Sequence, residues 1–301
     1  MTESRMSVIL CSMSIKKHIF SINLTLNVIN AICEDRCQDD ITTSAIIRRN
    51  MPARALIVAK KAGIICGQDA AARVFRILNR ESKYRRIVRD GQPAEKGKVI
   101  AQIKSDFKSL LMGERIALNY LMHLSGIATL TNKYVQAVKG LKVKILDTRK
   151  TVPGLRQLEK YAVHAGGGEN HRIGLHDMYL IKDNHIEAMG SIAKAIERCL
   201  KHRGKKRIKI EIETKFLSQI EEALKYKIDR IMLDNMTPAV MQKAVRLIRG
   251  SNPKTEIEAS GNINLRNIRR IAETGVDYIS IGRLTHSAPA LDLSMEIIPH
   301  A

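Results

Sequence analysis

The sequence predicts an α/β protein, in which an amino-terminal α+β part is followed by a series of βα units that close as a barrel. Three observations carry this. Before about residue 110, short β-like runs such as ALIVA (55–59) and KVIAQI (98–103) are separated by the turn-rich GQPAEKG (91–97). After Gly140 six short apolar runs, KVKIL, MYLI, IKIEI, RIML, EIEA and YISI, alternate with helical stretches, as a parallel sheet requires. Each run also ends, on its carboxyl side, in polar or small residues: Asp147 to Lys150, then Lys182, Glu213, Asp234, Ser260 and Gly282. Periodicity alone leaves an open sheet and a barrel equally available. The repeated strand endings favour the barrel, because ligands of that fold gather at the carboxyl ends of the strands.

Between these two parts the spacing of Ile116, Leu118, Leu121, Leu124, Ile127 and Leu130 predicts amphipathic helix from Gly113 onward, with Gly126 as a candidate break. Among the later helices, Thr237 is placed to cap and Pro238 to open one, while Gly275 is placed to close another.

A chain of 301 residues, 45% hydrophobic and 27% charged, has the profile of a folded protein rather than a disordered one. Lys plus Arg number 51 against 30 Asp plus Glu, a formal charge of +21, which attracts anions in general. Aromatics are only 4% and Trp is absent, so surfaces for stacking bases are poorly supplied and no nucleic-acid partner is expected. The cysteines at 11, 33, 37, 66 and 199 form no paired CxxC set and suit free thiols in a reducing compartment. The apolar stretch Val8 to Ile15 is interrupted by Lys16, Lys17 and His18 without a following cleavage pattern. No run approaches the roughly 20 apolar residues of a bilayer span. The expectation is a cytoplasmic protein without a membrane partner.

The strand-end residues share a chemistry. Arg149, Lys150, Arg172 and Lys182 are cationic donors, and the arginine fork matches carboxylate or phosphate oxygens in pairs. Glu213 and Asp234 are hard oxygen ligands, suited either to Mg²⁺ held through water beside a pyrophosphate or to salt bridges with the neighbouring cations. SGN (260–262) and SIGR (280–283) are small turns after successive strands, where backbone N–H groups can approach a phosphate. HAGGGENHR (164–172) must be a tight or flexible loop, but no strand precedes it as a dinucleotide turn would need. His171 and His185 fall in no HxH or HExxH pattern, which argues against zinc chemistry.

DTRKTVPGLR (147–156), GGGENHR (166–172), LIKDNH (180–185), IEIE (210–213), MLDN (232–235), EASGN (258–262) and GRLTHSAPALD (282–292) resemble, in order and spacing, the quinolinate phosphoribosyltransferase family. DITT (40–43) and GERIALN (113–119) extend the likeness toward the amino end. Two departures are mild: SGN stands where many relatives read SGG, and CQDD (37–40) replaces a more glycine-rich stretch.

The resemblance implies an open-faced α/β sandwich domain over residues 1–128, with 287–301 packing back on it, and an incomplete barrel of about seven strands over 129–286. It implies transfer of a phosphoribosyl group from phosphoribosyl pyrophosphate to quinolinate with loss of CO₂, giving nicotinate mononucleotide. In that scheme Arg149, Arg172, Lys182 and His171 surround the pyridine dicarboxylate, with Thr148 beside them. Lys150, Glu213 and Asp234 face the ribose, the pyrophosphate and its magnesium. Ser260, Gly261, Asn262, Gly282 and His286 hold the 5′-phosphate. A homodimer, or a hexamer of dimers, is implied as well, with Arg115 of one protomer reaching the other's site; on its own Arg115 reads as a surface arginine opening a helix. Rival readings are a related phosphoribosyltransferase with another small anionic acceptor, as in the molybdenum-gene-associated homologues, and a polyanion-binding protein suggested only by the net charge.

Overall fold

The computed structural model describes residues 21–49 and 51–299, which fall into two compact units. The stretch from Val8 to Ile15, with Cys11, lies outside the described residues. The first unit holds the described residues up to Thr129, Pro153–Ala165 and those from Ala288; the second holds Leu130–Val152 and Gly166–Ser287. The first therefore takes in a segment, Pro153–Ala165, that the sequence does not mark off from the barrel.

In the first unit, strands β1 (Pro52–Ala59), β3 (Lys83–Arg86) and β5 (Val99–Asp106) join the late strand β12 (Leu293–Pro299) in the order β12-β1-β5-β3. The pairings of β1 with β5 and with β12 are antiparallel. A separate two-stranded ribbon pairs β2 (Gly63–Ile64) with β4 (Pro93–Ala94). On β1 and β5, Ala53, Ala55, Ile57, Ile100, Ala101 and Ile103 are buried, the apolar surface whose removal from water holds the sheet to its helices. Asp40 caps the helix Ile41–Ile46 by accepting the Thr43 N–H at 2.9 Å.

A single helix runs from Phe107 to Ala137, beginning before Gly113 and passing Gly126 without a break. Gly126 serves packing instead: a Cβ there would overlap the carbonyl oxygen of Pro289. The glycine thus admits a crossing strand of backbone, and its cost in helix propensity, about 1 kcal/mol, is small against the packing it permits.

The second unit is built on six parallel strands, β6 (Lys144–Leu146), β7 (Tyr179–Ile181), β8 (Ile210–Thr214), β9 (Arg230–Asp234), β10 (Glu256–Ser260) and β11 (Tyr278–Ser280). Their order is β6-β11-β10-β9-β8-β7. The last strand pairs with the first and the others follow chain order, which is the circuit of a barrel left open between β6 and β7. Into that opening comes the glycine-rich loop, reduced to one parallel bridge, Leu146 with Glu169. The seventh strand that the resemblance implies is therefore a single residue pair. Three glycines in succession supply too few side chains and too much backbone freedom for a longer strand.

The punctuation between strands follows the sequence. Thr237 accepts the Val240 N–H at the start of the helix Pro238–Ser251, and Gly275 takes φ 93° beyond the helix Ile268–Ala272. Among the described residues no helix is long and apolar enough to cross a membrane.

Candidate active site

At the carboxyl ends of the six strands the second unit encloses a hollow of about 1020 Å³. Thr148, Arg149, Lys150, His171, Arg172, Lys182, Glu213, Asp234, Ser260, Gly261, Asn262, Gly282 and His286 all line it. Arg115 does not. It is exposed on the long helix of the first unit and lines another hollow, with Asp39, Asp40 and Met112.

The segment after β6 carries the first cations. Thr148 Oγ1 accepts the Lys150 N–H at 3.0 Å, and Thr285 Oγ1 donates to the Lys150 carbonyl at 2.6 Å. The first bond tightens the segment on itself, and the second ties it to the short helix Arg283–His286. Gly282 completes the approach, since a Cβ there would stand 3.0 Å from Lys150 Cδ.

Arg172 comes from the loop that enters the barrel opening. Buried Asp147 accepts the His171 N–H at 2.9 Å, while Glu169 N–H donates to Ile145 O at 2.7 Å. Asp177 closes the turn beyond by accepting from Ile173 and Gly174 N–H groups at 2.7 and 2.9 Å. Arg172 Nη1 donates to Met178 O at 3.0 Å. Burial, and then the like charge of Arg149, hold the Arg172 guanidinium below its ordinary pKa. Two arginines that oppose each other's charge form a place that gains from a doubly negative ligand.

Opposite, Lys182 Nζ donates to Glu213 Oε2 at 3.0 Å. Asp234 Oδ2 accepts from Asn235 Nδ2 at 2.9 Å. Among the described residues Glu213 and Asp234 each have one oxygen so engaged. The pair, on neighbouring strands, suits a hard cation that keeps most of its water. The salt-bridge reading is realised for Glu213 by Lys182; Asp234 has an amide partner instead.

After β10 the chain turns through Gly261 at φ 93° and Asn262 at φ 51°. Asn262 Nδ2 donates to Asn235 Oδ1 at 3.0 Å, Asn235 N–H donates to Ser260 O at 2.9 Å, and Asn267 Nδ2 donates to Asn262 O at 3.0 Å. Left-handed backbone is tolerated by Asn, so SGN supports the same kind of turn as SGG. His286 Nδ1 lies 2.5 Å from Ser287 Oγ.

Beneath these residues lies a charged layer that strand-end reading passes over. His171 Nε2 is 2.9 Å from Glu211 Oε2 and 3.5 Å from Glu258 Oε2, and Arg230 Nη1 donates to Glu258 Oε2 at 2.8 Å. Both glutamates are fully buried, and burial raises each carboxyl to about 7, against the opposing pull of Arg230. The signal was the strand period of two: Glu211 precedes Glu213, Arg230 and Met232 precede Asp234, and Glu256 and Glu258 precede Ser260, each set on one face. Asn235, Asn264 and Arg283 also line the hollow without being anticipated.

A hollow so furnished, at this edge of such a sheet, marks the barrel enzymes that act on phosphorylated, strongly anionic substrates. Within that class the chain belongs to the quinolinate phosphoribosyltransferase family: residues 40–125 match the N-terminal domain of quinolinate phosphoribosyl transferase and residues 127–296 the C-terminal domain. It is 47% identical over 241 residues to a Synechocystis protein named as a probable carboxylating nicotinate-nucleotide pyrophosphorylase, covering 80% of this chain and 81% of that one. It is 39% identical over 275 residues to a mitochondrial decarboxylating quinolinate phosphoribosyltransferase of Nicotiana tabacum, covering 86% and 77%. The solved nicotinate-nucleotide pyrophosphorylase of Francisella tularensis superposes with a TM-score of 0.86 at 39% identity, covering 92% of this chain and 96% of that one.

Proposed function

We infer that this chain transfers the phosphoribosyl group of phosphoribosyl pyrophosphate to quinolinate and releases CO₂ and pyrophosphate, forming nicotinate mononucleotide for NAD biosynthesis. The observation that carries the reading is the meeting of Arg149, Lys150, Arg172 and Lys182, from separate segments, in one hollow with Glu213 and Asp234. With Arg283 and Glu258 also on its lining, five cations against three acids leave the hollow positive, as a dicarboxylate beside a pyrophosphate demands.

The reaction has two hard steps. In the first, the bond from ribose C1 to the pyrophosphate oxygen breaks, leaving positive charge on the sugar and negative charge on the leaving group. Glu213 and Asp234 stabilise the former and Lys150 the latter. The pyridine nitrogen then bonds to C1. Glu213 and Asp234 are also the residues that would hold Mg²⁺ through water, whose charge would neutralise the pyrophosphate oxygens. In the second step the 2-carboxylate leaves as CO₂. The electron pair stays on C2 beside the quaternary nitrogen, and C2 takes up a proton. Arg149, Arg172 and Lys182, with Thr148, hold the dicarboxylate while the barrel mouth keeps its leaving group poorly solvated. Ser260, Gly261, Asn262, Gly282 and His286 would receive the 5′-phosphate, through backbone N–H groups and the imidazole.

We place the enzyme in the cytoplasm, working as a homodimer or a hexamer of dimers, with Arg115 of one protomer completing the other's site. Incubation with quinolinate, phosphoribosyl pyrophosphate and Mg²⁺ should give nicotinate mononucleotide and CO₂ in equal amounts, with nicotinate a poor replacement. Absence of product, or equal use of nicotinate, would reject the reading.

A further inference from the structure

Both ring nitrogens of His171 have partners within the protein. Arg172 N–H donates to Nδ1 at 2.8 Å, so Nδ1 must present a lone pair. In the neutral ring the proton then sits on Nε2, which faces Glu211 Oε2 at 2.9 Å and Glu258 Oε2 at 3.5 Å. The other tautomer would set a ring N–H against the Arg172 N–H and leave a buried donor without an acceptor. A carboxylate facing one ring nitrogen is a common means of fixing the tautomer.

The anchoring continues inward. Glu211 on β8 stands in register with Arg230 on β9, and Arg230 Nη1 donates to Glu258 Oε2 at 2.8 Å. On the other side, the His171 backbone N–H donates to Asp147. The Arg172 side chain is fixed at its far end by Met178 O. The arginine is thus held at its amide through His171 and at its guanidinium through the loop.

Building on the functional reading above, we propose that His171 is a strut and Glu211 its anchor: Glu211 is a positioning residue that acts through His171 to set where Arg172 meets the pyridine dicarboxylate. His171 then lines the hollow without giving its ring nitrogens to the substrate.

Nitrogen chemical shifts of isotope-labelled histidine, assigned with a His171→Asn variant, report the tautomer directly. Wild-type protein should show His171 as the neutral ring protonated at Nε2, unchanged when quinolinate saturates the enzyme. Glu211→Leu should lose that signature and raise the quinolinate KM roughly 10- to 100-fold, with the phosphoribosyl pyrophosphate KM within about twofold. Glu211→Gln retains an acceptor oxygen and should restore both signature and affinity, and it keeps the test decisive if the leucine variant does not fold. A doubly protonated ring, a proton on Nδ1, a ring signal that moves with quinolinate, or equal loss for both substrates in Glu211→Gln would overturn the proposal. Wild-type protein that shows the Nε2–H ring but neither binds nor turns over quinolinate would instead refute the functional reading and leave the strut standing.

Discussion

Lys182 Nζ donates to Glu213 Oε2 across 3.0 Å, joining the end of β7 to the end of β8 inside the hollow. The bond links a cation assigned to the acceptor with an acid assigned to the sugar, so the two halves of the reaction share one ion pair. Lys182→Ala should lower kcat/KM for quinolinate by about two to three orders of magnitude. The lysine side chain is 45% exposed, so the melting temperature should scarcely move. Steady-state kinetics and a thermal melt on one sample check both; near wild-type kinetics would remove Lys182 from the site.

Gly261 turns with φ 93°, and a Cβ there would overlap the Asn235 amide. That amide is held by Asn262 and holds Asp234 in turn. Gly261→Ala should therefore strain the turn, costing about 1–3 kcal/mol in stability, and should raise the phosphoribosyl pyrophosphate KM more than the quinolinate KM. Calorimetric titration with each substrate separates the two effects, and equal effects on both would contradict the phosphate assignment.

Burial, followed by the nearby Glu211, raises the Glu258 carboxyl from 4.5 to about 7. Because its folded pKa lies above the unfolded value, the native state keeps the proton longer as pH rises. Its stabilising contribution is present in full below pH 4.5 and is lost on the way to pH 7. The ceiling on that slope is about 1.4 kcal/mol per pH unit for one group, and Glu211 shares the titration. Glu258→Gln should flatten the fall in stability over this window relative to wild type, as measured by denaturant melts at several pH values. An unchanged slope would mean that the buried carboxyls do not titrate there.

If Glu213 and Asp234 hold Mg²⁺, chelation should abolish turnover and added Mg²⁺ should restore it, without change in the thermal melt. Glu213→Gln should demand more metal for half-maximal rate. Full activity in excess chelator would contradict the metal assignment.

Arg115 gives a test of assembly. Arg115→Ala and Lys182→Ala should each be inactive alone. Mixed and allowed to exchange, they should recover about a quarter of wild-type activity, since half the dimers are mixed and each of these has one intact site. No recovery despite demonstrated exchange would confine Arg115 to its own protomer or to the surface.

Much of the barrel could be read from the chain because polar residues gather where its strands end: Asp234 and Ser260 close β9 and β10, and Glu213 stands one residue before the end of β8. Gly126 shows the limit of local reading, since its purpose is contact with Pro289, 163 positions distant in the chain. The inner glutamates were harder for a different reason. IEIE and EIEA look like apolar strands with polar interruptions, yet Glu211 and Glu258 face inward and are held there by Arg230 and His171. A buried charge is legible only with its partner, and the partners come from β9 and from the loop entering the barrel.

Under the proposed function, Arg149 and Arg172 together create a place for a doubly charged aromatic acid. Equilibrium binding of quinolinate to wild-type enzyme, Arg149→Ala and Arg172→Ala tests it without reliance on turnover. The wild type should bind one equivalent per chain, weakened by salt, and binding should be lost in both variants while their melting temperatures hold. Quinolinate binding of wild-type strength in either folded variant would contradict it.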